Sequence, residues 1–393
     1  MSSAVDGVVA GEVARPSDVS GVRDIVRAAA DRGAAIIATG LGAHLDIGAP
    51  PQRLDVLLHL DGLDRVVDHQ AADMTITVDA GCSLARLDAT LAAAGQWLPL
   101  DPPSFAQTTV GGLVAANLSG PLRASQGTVR DLLLGIRVVD AEGALVAGGG
   151  KVVKNVAGYD LPKLHVGALG TLGVIVEATF KVRPRPEREE AAVISASTHA
   201  DAATIGLAVR DVIDPLWIEA GMIDDGIGTA IGVGGIAAEI AAARGAIDAI
   251  ARTRNATLRW VDDGMAFRRR LADWSIDQRS TVLRASVLPM AAGAIMTRFR
   301  EIAGDVPVLA HLANGVVRAR LVDPRAVPKT VATLRPEIAA RGGFLVIERA
   351  KPEVKAGLDV WGDPGEGLAL MRRVKAAFDP KGVFSPGRYV GGI

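Results

Sequence analysis

Three glycine-rich clusters follow one another in the N-terminal half of the chain. They are Gly40-Leu41-Gly42-Ala43-His44-Leu45-Asp46-Ile47-Gly48, then Thr109-Val110-Gly111-Gly112 leading to Asn117-Leu118-Ser119-Gly120, and then Gly167-Ala168-Leu169-Gly170-Thr171-Leu172-Gly173. Such clusters can hold a diphosphate, whose negative charge must be neutralised or hydrogen-bonded. Consecutive main-chain amides in turn conformations do this without any basic side chain. Glycine suits the contact points because a Cβ obstructs the approach. One cluster alone reads as a set of tight turns. Three in order, with threonine and asparagine interleaved, point to a ligand.

Other chemistries fit less well. Lys151 follows Gly148-Gly149-Gly150, but Leu145 stands where a phosphate-loop NTPase has its first glycine and Val152 where it has serine or threonine. Gly232-Val233-Gly234-Gly235-Ile236-Ala237 fits the dinucleotide fingerprint G-x-G-x-x-A and opens a helix. Its preceding strand is weak, however, and the acid Asp262 lies about 30 residues on rather than about 20, so an accidental match is preferred. His44, His59, His69, His165, His199 and His311 form no H-E-x-x-H or similar pattern, and no metal site is indicated by spacing. His311-Leu312-Ala313-Asn314-Gly315 is the one histidine beside a polar turn late in the chain; on the residues alone it reads as structural. Cys82 has no partner histidine or second cysteine and reads as inert packing. Arg268-Arg269-Arg270 reads as a solvated helix face.

The elements that position these residues belong to a globular chain of about two domains, given 393 residues, 49% hydrophobic and 22% charged. A net charge of −1 gives no field that attracts nucleic acid or an anionic membrane. The single cysteine excludes a disulfide framework and fits a reducing compartment. Met1 to Gly11 lacks the cationic start and apolar run of a secretory signal, and Ala285 to Met296 is too short to span a membrane. The 45 glycines imply many turns or close approaches. A mean hydropathy of +0.28 fits either a core rich in Ala, Val and Leu or a surface hidden by partner subunits.

Ser17 is expected to cap a helix reaching about Arg32, with Gly33 as its stop. Strands are expected at Ala35 to Ala38, Val56 to Leu60, Thr75 to Val78, Gly135 to Asp140 and Val174 to Val182. Leu84, Leu87 and Leu91 mark a helix stopping at Gly95, and Asp101 to Gly120 reads as loop. Arg183-Pro184-Arg185-Pro186 is a stiff break and the expected domain boundary. Beyond it, Ile236 to Ala251 reads as helix and Leu258 to Val261 as strand.

The loops in this order resemble the FAD-binding domain of the vanillyl-alcohol oxidase, or PCMH-type, flavoproteins. Leu98-Pro99-Leu100-Asp101-Pro102, Thr109-Val110-Gly111-Gly112, Gly127-Thr128-Val129-Arg130-Asp131 and Lys154-Asn155-Val156-Ala157-Gly158-Tyr159-Asp160-Leu161 look like bacterial glycolate oxidase subunits. So do Asp359-Val360-Trp361-Gly362, Phe378-Asp379-Pro380-Lys381-Gly382 and Pro386-Gly387-Arg388-Tyr389-Val390-Gly391-Gly392-Ile393. Together they resemble the smaller FAD-binding E subunit more than the larger D subunit. The motifs in residues 98 to 175 are specific; those between 190 and 300 are not.

The resemblance implies an α+β fold: a PCMH-type FAD-binding domain of two α+β subdomains over 1–185, and an α+β FAD-linked oxidase C-terminal cap over 186–393. It carries cofactor contacts onto Gly40, Leu41, Gly42, Ala43, His44 and Gly48, where the pyrophosphate would lie. Pro103, Ser104, Thr108, Thr109, Gly111, Gly112, Asn117, Gly120 and Asp131 belong to the second stretch, and Gly170, Thr171, Gly173, Val174 and Ile175 would close the site. Some relatives bond flavin to a histidine in the first loop; Ala43 stands there, so non-covalent FAD is implied.

Catalytic relatives carry H-x-G-D-G-N-x-H, held to position metal or hydroxyacid. The matching stretch, His311 to Arg318, keeps the first histidine and one glycine; Asn314 replaces the acid and Arg318 the second histidine. That suits a subunit working beside a catalytic flavin chain and an iron–sulfur chain, in the cytoplasm or peripherally at the inner membrane through its partners. One cysteine cannot hold such a cluster, which needs about four. His311, Arg318 and Lys154 are the catalytic candidates, and Lys154 or Arg388 would place positive charge near reduced flavin. A free-standing FAD-dependent 2-hydroxyacid dehydrogenase and a non-catalytic scaffold are the alternatives.

Overall fold

The computed structural model describes residues 3–150 and 160–393. The chain forms two compact units, one of Met1–Leu118, Thr128–Arg185 and Lys351–Ile393, the other of Ser119–Gly127 and Pro186–Ala350.

After a short antiparallel hairpin of Ala4–Val5 and Val8–Val9, the first unit runs through strand β1 (Glu12–Ala14), helix α1 (Val19–Asp31), β2 (Ile36–Thr39) and β3 (Val56–His59). The cap of α1 is Asp18, one residue beyond the serine expected, and its carboxylate accepts from the Gly21 amide at 2.8 Å. Val22, Val26, Ala29 and Ala30 recur at helical spacing and are buried. The three strands pair in parallel in the order β1-β3-β2. An antiparallel sheet follows, built from β4 (Val66–Gln70), β5 (Thr75–Asp79), β6 (Leu133–Val139), β7 (Leu145–Gly149) and β8 (Val174–Lys181) in the order β7-β6-β8-β5-β4. Between β5 and β6 lie α2 (Leu84–Ala92) and α3 (Val110–Ala116). One hydrophobic core joins α1 to strands of both sheets and to Val383 and Phe384.

Those last two residues explain where the structure departs from a division into 1–185 and 186–393. The amide of Ile36 donates to Val383 at 2.7 Å, and that of Ser385 donates to Ile36 at 2.9 Å. The C-terminal segment thus pairs along the open edge of the parallel sheet, an edge that otherwise invites unwanted pairing. The carboxylate of Asp379 accepts from the amides of Val383 and Phe384 at 2.9 and 2.8 Å. Lys375 ties Thr171 and Phe384 together through their carbonyls, each at 2.8 Å. Lys351–Ile393 therefore belongs with the first unit, and Ser119–Gly127 with the second.

His165 lies in the same unit, its ring edge-on to Phe378 with centroids 6.2 Å apart. Burial pushes its pKa down to about 4. The unfolded ring, near 6.5, takes up its proton first as pH falls. The contribution to stability is therefore complete above about 6.5 and is lost as pH falls towards 4, a loss of about 3 kcal/mol. His165→Phe is expected to flatten this acid limb in urea unfolding followed from pH 7 to 4. A variant with the parent's slope would show that His165 contributes none of it.

The second unit is an eight-stranded antiparallel sheet with helices. In chain order it comprises β9 (Arg188–Ser195), α4 (His199–Arg210), β10 (Trp217–Ile223), β11 (Gly226–Gly235), α5 (Ala237–Thr253), β12 (Leu258–Val261) and α6 (Gly264–Ala272). There follow β13 (Thr281–Ser286), α7 (Ala292–Ala303), β14 (Val308–His311), β15 (Val316–Leu321), α8 (Ala326–Ala339) and β16 (Phe344–Arg349). The strand order is β12-β9-β11-β10-β14-β15-β13-β16. Helix α4 packs on β10 and β11, α7 on β14 and β15, and α8 on β16.

Two sequence readings are settled here. The G-x-G-x-x-A stretch runs largely inside β11, paired antiparallel on both sides, and is no strand–turn–helix phosphate site. Gly232 is there for close packing, since a Cβ would meet the Trp217 indole at 2.0 Å. The arginine run is only partly solvated. Helical periodicity turns Phe267, Arg268 and Leu271 inward, and Arg268 meets Glu189 at 2.8 and 3.0 Å.

Candidate flavin cleft and a charged row

The first unit contains a cleft walled by three separate stretches of the chain. Thr39, Gly40, Leu41, Gly42, Ala43, His44 and Leu45 line it as the chain leaves β2. Thr109, Gly111, Gly112, Ala115 and Ala116 line it from α3 and its cap, and Leu169, Gly170, Gly173 and Ile175 on the way into β8. Ala80, Leu60, Gln107 and Arg388 complete the wall. The three glycine clusters meet at one cavity.

Local chemistry explains the convergence. Thr109 caps α3, its hydroxyl accepting from the Gly112 amide at 3.4 Å, and Val110, Leu113 and Val114 bury the other face. Gly40 is required because a Cβ there would lie 2.2 Å from Thr109 Oγ1. Gly42, at φ +82°, turns the loop in a region that other residues rarely adopt. Among the described residues, the amides of Leu41, Gly42 and Ala43 donate to no group. Consecutive unpaired amides on a cavity wall suit a diphosphate.

His44 lines the cleft but its Nε2 is 2.7 Å from Thr108 Oγ1. The buried Thr108 hydroxyl also donates to the carbonyls of Pro103 and Ser104, at 3.1 and 3.0 Å. Pro103, Ser104 and Thr108 thus brace the loop without lining the cavity. Gly48, Asn117, Asp131, Thr171 and Val174 do not line it either. Gly48 packs on the Arg388 carbonyl, Asn117 ends α3, and Asp131 closes a capping box with Thr128 at 2.8 and 2.7 Å. Thr171 donates to Ala168 at 2.7 Å. Gly120 lies in the second unit. Lys154, with the motif it opens, falls outside the described residues.

Among the described residues, Arg388 is the one arginine or lysine on the cleft wall. Its Nη2 donates to the carbonyls of Leu45, at 2.8 Å, and Ile47. Its Nη1 is buried without a hydrogen-bond partner, 3.7 Å from Asp6, which Lys355 grips at 2.9 Å. Burial lowers the pKa of Arg388 against the pull of Asp6. Nearby Cys82 is fully buried, and burial pushes its thiol up to about 11, which makes it inert.

The second unit gathers a different set. Glu219, His311, Arg318, Arg284 and Glu348 come one each from β10, β14, β15, β13 and β16, five neighbouring strands. Register puts Glu219 opposite His311, and Arg284 opposite Arg318; Leu309, two residues before His311, also faces Arg318. Side chains two apart share a face, so these groups form a row. His311 Nδ1 lies 2.6 and 2.7 Å from the Glu219 oxygens. Arg318 grips Glu348 through two parallel bonds of 2.6 and 3.0 Å, and Arg284 approaches the same carboxylate at 3.4 Å.

Burial, with Arg318 beside it, holds the His311 pKa well below its ordinary value. A neutral ring donates Nδ1–H to Glu219 and leaves the Nε2 lone pair to accept a proton. Against burial, which raises it, Arg318 and Arg284 draw the Glu348 carboxyl down to about 2.

Comparison with known proteins places this architecture. A model of the FAD binding domain matches residues 10–149, and one of the FAD linked oxidases' C-terminal domain matches residues 363–389. The chain is 41% identical over 154 residues to glycolate oxidase subunit GlcE of Escherichia coli, a match covering 38% of this chain and 43% of that one. It is 25% identical to glycolate oxidase subunit GlcD of Bacillus subtilis, over 96% of this chain and 88% of the other. For D-lactate dehydrogenase of Archaeoglobus fulgidus the identity is 27%, over 96% and 91%. A solved structure of alkyldihydroxyacetonephosphate synthase shares the fold, with a TM-score of 0.72 at 19% identity, covering 96% of this chain and 77% of that one. The match to the Escherichia coli subunit thus spans less than half of that relative's length. Fold and cleft together are similar to those of the FAD linked oxidases. Residues 10–149 thus carry an FAD binding domain, with FAD as its cofactor. Among the described residues no helix is long and apolar enough to cross a membrane.

Proposed function

We propose that the chain is the FAD-binding subunit of a glycolate oxidase complex, working beside a catalytic flavin subunit and an iron–sulfur subunit. The overall reaction takes glycolate to glyoxylate, and the bound flavin supplies the two-electron acceptor. One observation carries this reading: a glycine-lined cleft in the FAD binding domain accompanies a second unit in which Arg318 stands at the second histidine of the catalytic motif. The amides of Leu41 to Ala43 hold the diphosphate, and Arg388 braces the far end of that loop through the carbonyls of Leu45 and Ile47. The small side chains of Gly111, Gly112, Ala115 and Ala116 admit a flat ring system. Attachment is non-covalent, because Ala43 offers no nucleophile and His44 is engaged by Thr108.

A second reading has an observation of its own. The His311–Glu219 pair is arranged so that the ring nitrogen can take a hydroxyl proton, and the D-lactate dehydrogenase match runs nearly end to end. On that reading the chain is a free-standing 2-hydroxyacid dehydrogenase with His311 as base.

The test is anaerobic exposure of the purified yellow chain to glycolate and to D-lactate, alone and with the chains that accompany it from native cells. Bleaching by glycolate only in company supports the subunit reading. Bleaching of the isolated chain by either acid favours the second. A colourless protein that cannot be reconstituted with FAD would overturn both and leave a scaffold.

A further inference from the structure

The motif shared by catalytic relatives brings two imidazoles together at a metal or hydroxyacid, and the donor set here does not suit a metal. Among the described residues no cluster of three or more His, Cys, Asp or Glu is arranged to hold one. We infer that the charged row of the second unit works without a divalent cation, the Arg318 guanidinium standing as a fixed positive charge where a cation would otherwise sit.

The inference follows from how the row uses its donors. Both oxygens of Glu348 are taken by Arg318 at 2.6 and 3.0 Å, a bidentate charge-assisted pair. Both oxygens of Glu219 face His311 Nδ1 at 2.6 and 2.7 Å. What is left for a metal is the Nε2 of one imidazole, whereas zinc sites take three or four protein ligands. Charge argues the same way. Arg318, Arg284 and Arg123 all act electrostatically on His311. With Arg123 counted beside the row, three guanidiniums against two carboxylates leave the local charge positive, which opposes a dication. Unlike a metal, the guanidinium keeps its charge at every physiological pH and cannot be chelated.

The inference is independent of which hydroxyacid, if any, the chain oxidises, because its readout is metal binding. The FAD-loaded chain is gel-filtered after EDTA treatment, then titrated calorimetrically with zinc and with cobalt, and its metal content is measured by mass spectrometry. No stoichiometric uptake is expected. Arg318→His returns a second imidazole beside His311 and Glu348, and is expected to take up about one cobalt per chain, at least tenfold tighter than the parent. One equivalent of zinc or cobalt on the parent chain, lost in His311→Ala, would overturn the inference. So would an Arg318→His chain that folds, by circular dichroism, yet gains no metal. Should that variant fail to fold, the parent titration decides alone: no uptake upholds the inference and one equivalent ends it.

Discussion

Arg388→Met is expected to purify with less than about a tenth of the parent's FAD and to lose about 3–5 kcal/mol of stability, the usual cost of taking one partner from a buried charge cluster. The guanidinium holds the carbonyls of Leu45 and Ile47, and so the far end of the first loop, while turning Nη1 towards Asp6. Methionine fills the space and leaves both carbonyls without that donor. Arg388→Lys keeps a charge but not the planar fork, and should fall between the two. The ratio of flavin to protein absorbance reads the first effect and urea unfolding of the apoprotein the second. Parent-level FAD affinity in Arg388→Met would remove Arg388 from the site. A reduction potential unchanged after reconstitution with excess FAD would remove its proposed role in stabilising reduced flavin.

Gly40→Ala should be nearly as damaging, for a steric reason. The added Cβ would lie 2.2 Å from Thr109 Oγ1, 2.5 Å from Cγ2 and 2.8 Å from Cβ. Thr109 cannot turn away cheaply, being β-branched and committed to capping α3. Overpacking of this kind costs about 1–3 kcal/mol. Taken from FAD binding, that is about a 10- to 100-fold loss of affinity, measured by fluorescence titration. The double variant Gly40→Ala, Thr109→Gly relieves the clash at the expense of a few tenths of a kcal/mol of capping, and should recover most of the affinity. No recovery would show that Gly40 serves through something other than this packing.

Periodic segments were the most legible part of the sequence. Leu258–Val261 is a strand with the bounds expected, and α1 and α2 lie where their apolar spacing put them. Segments whose structure depends on distant partners were not legible. Helix α3 hid in a stretch read as loop, because Gly111 and Gly112 suppress helix propensity and only the burial of Val110, Leu113 and Val114 repays it. Arg268 looked solvated because nothing local announces Glu189. Of the cleft, the glycines and Thr109 were readable from composition, whereas Ala80, Ala115 and Ala116 give no signal beyond being small. Arg388, far along the chain, was reached through the resemblance of its tail and not through any pattern of its own.

The strand edge at Ile36 that accepts Val383 and Ser385 sets an order of events during synthesis. The cofactor-holding unit is begun by residues ahead of Ser119 and closed by residues after Ala350, with nearly all of the other unit translated in between. Contacts so far apart in sequence form slowly. A nascent chain therefore lacks the contacts of Val383 and Arg388 in this unit until those residues have been made. Chains stalled or clipped before that point would expose an unpaired edge and a bare apolar core, which is the kind of surface on which chaperones act and aggregates start.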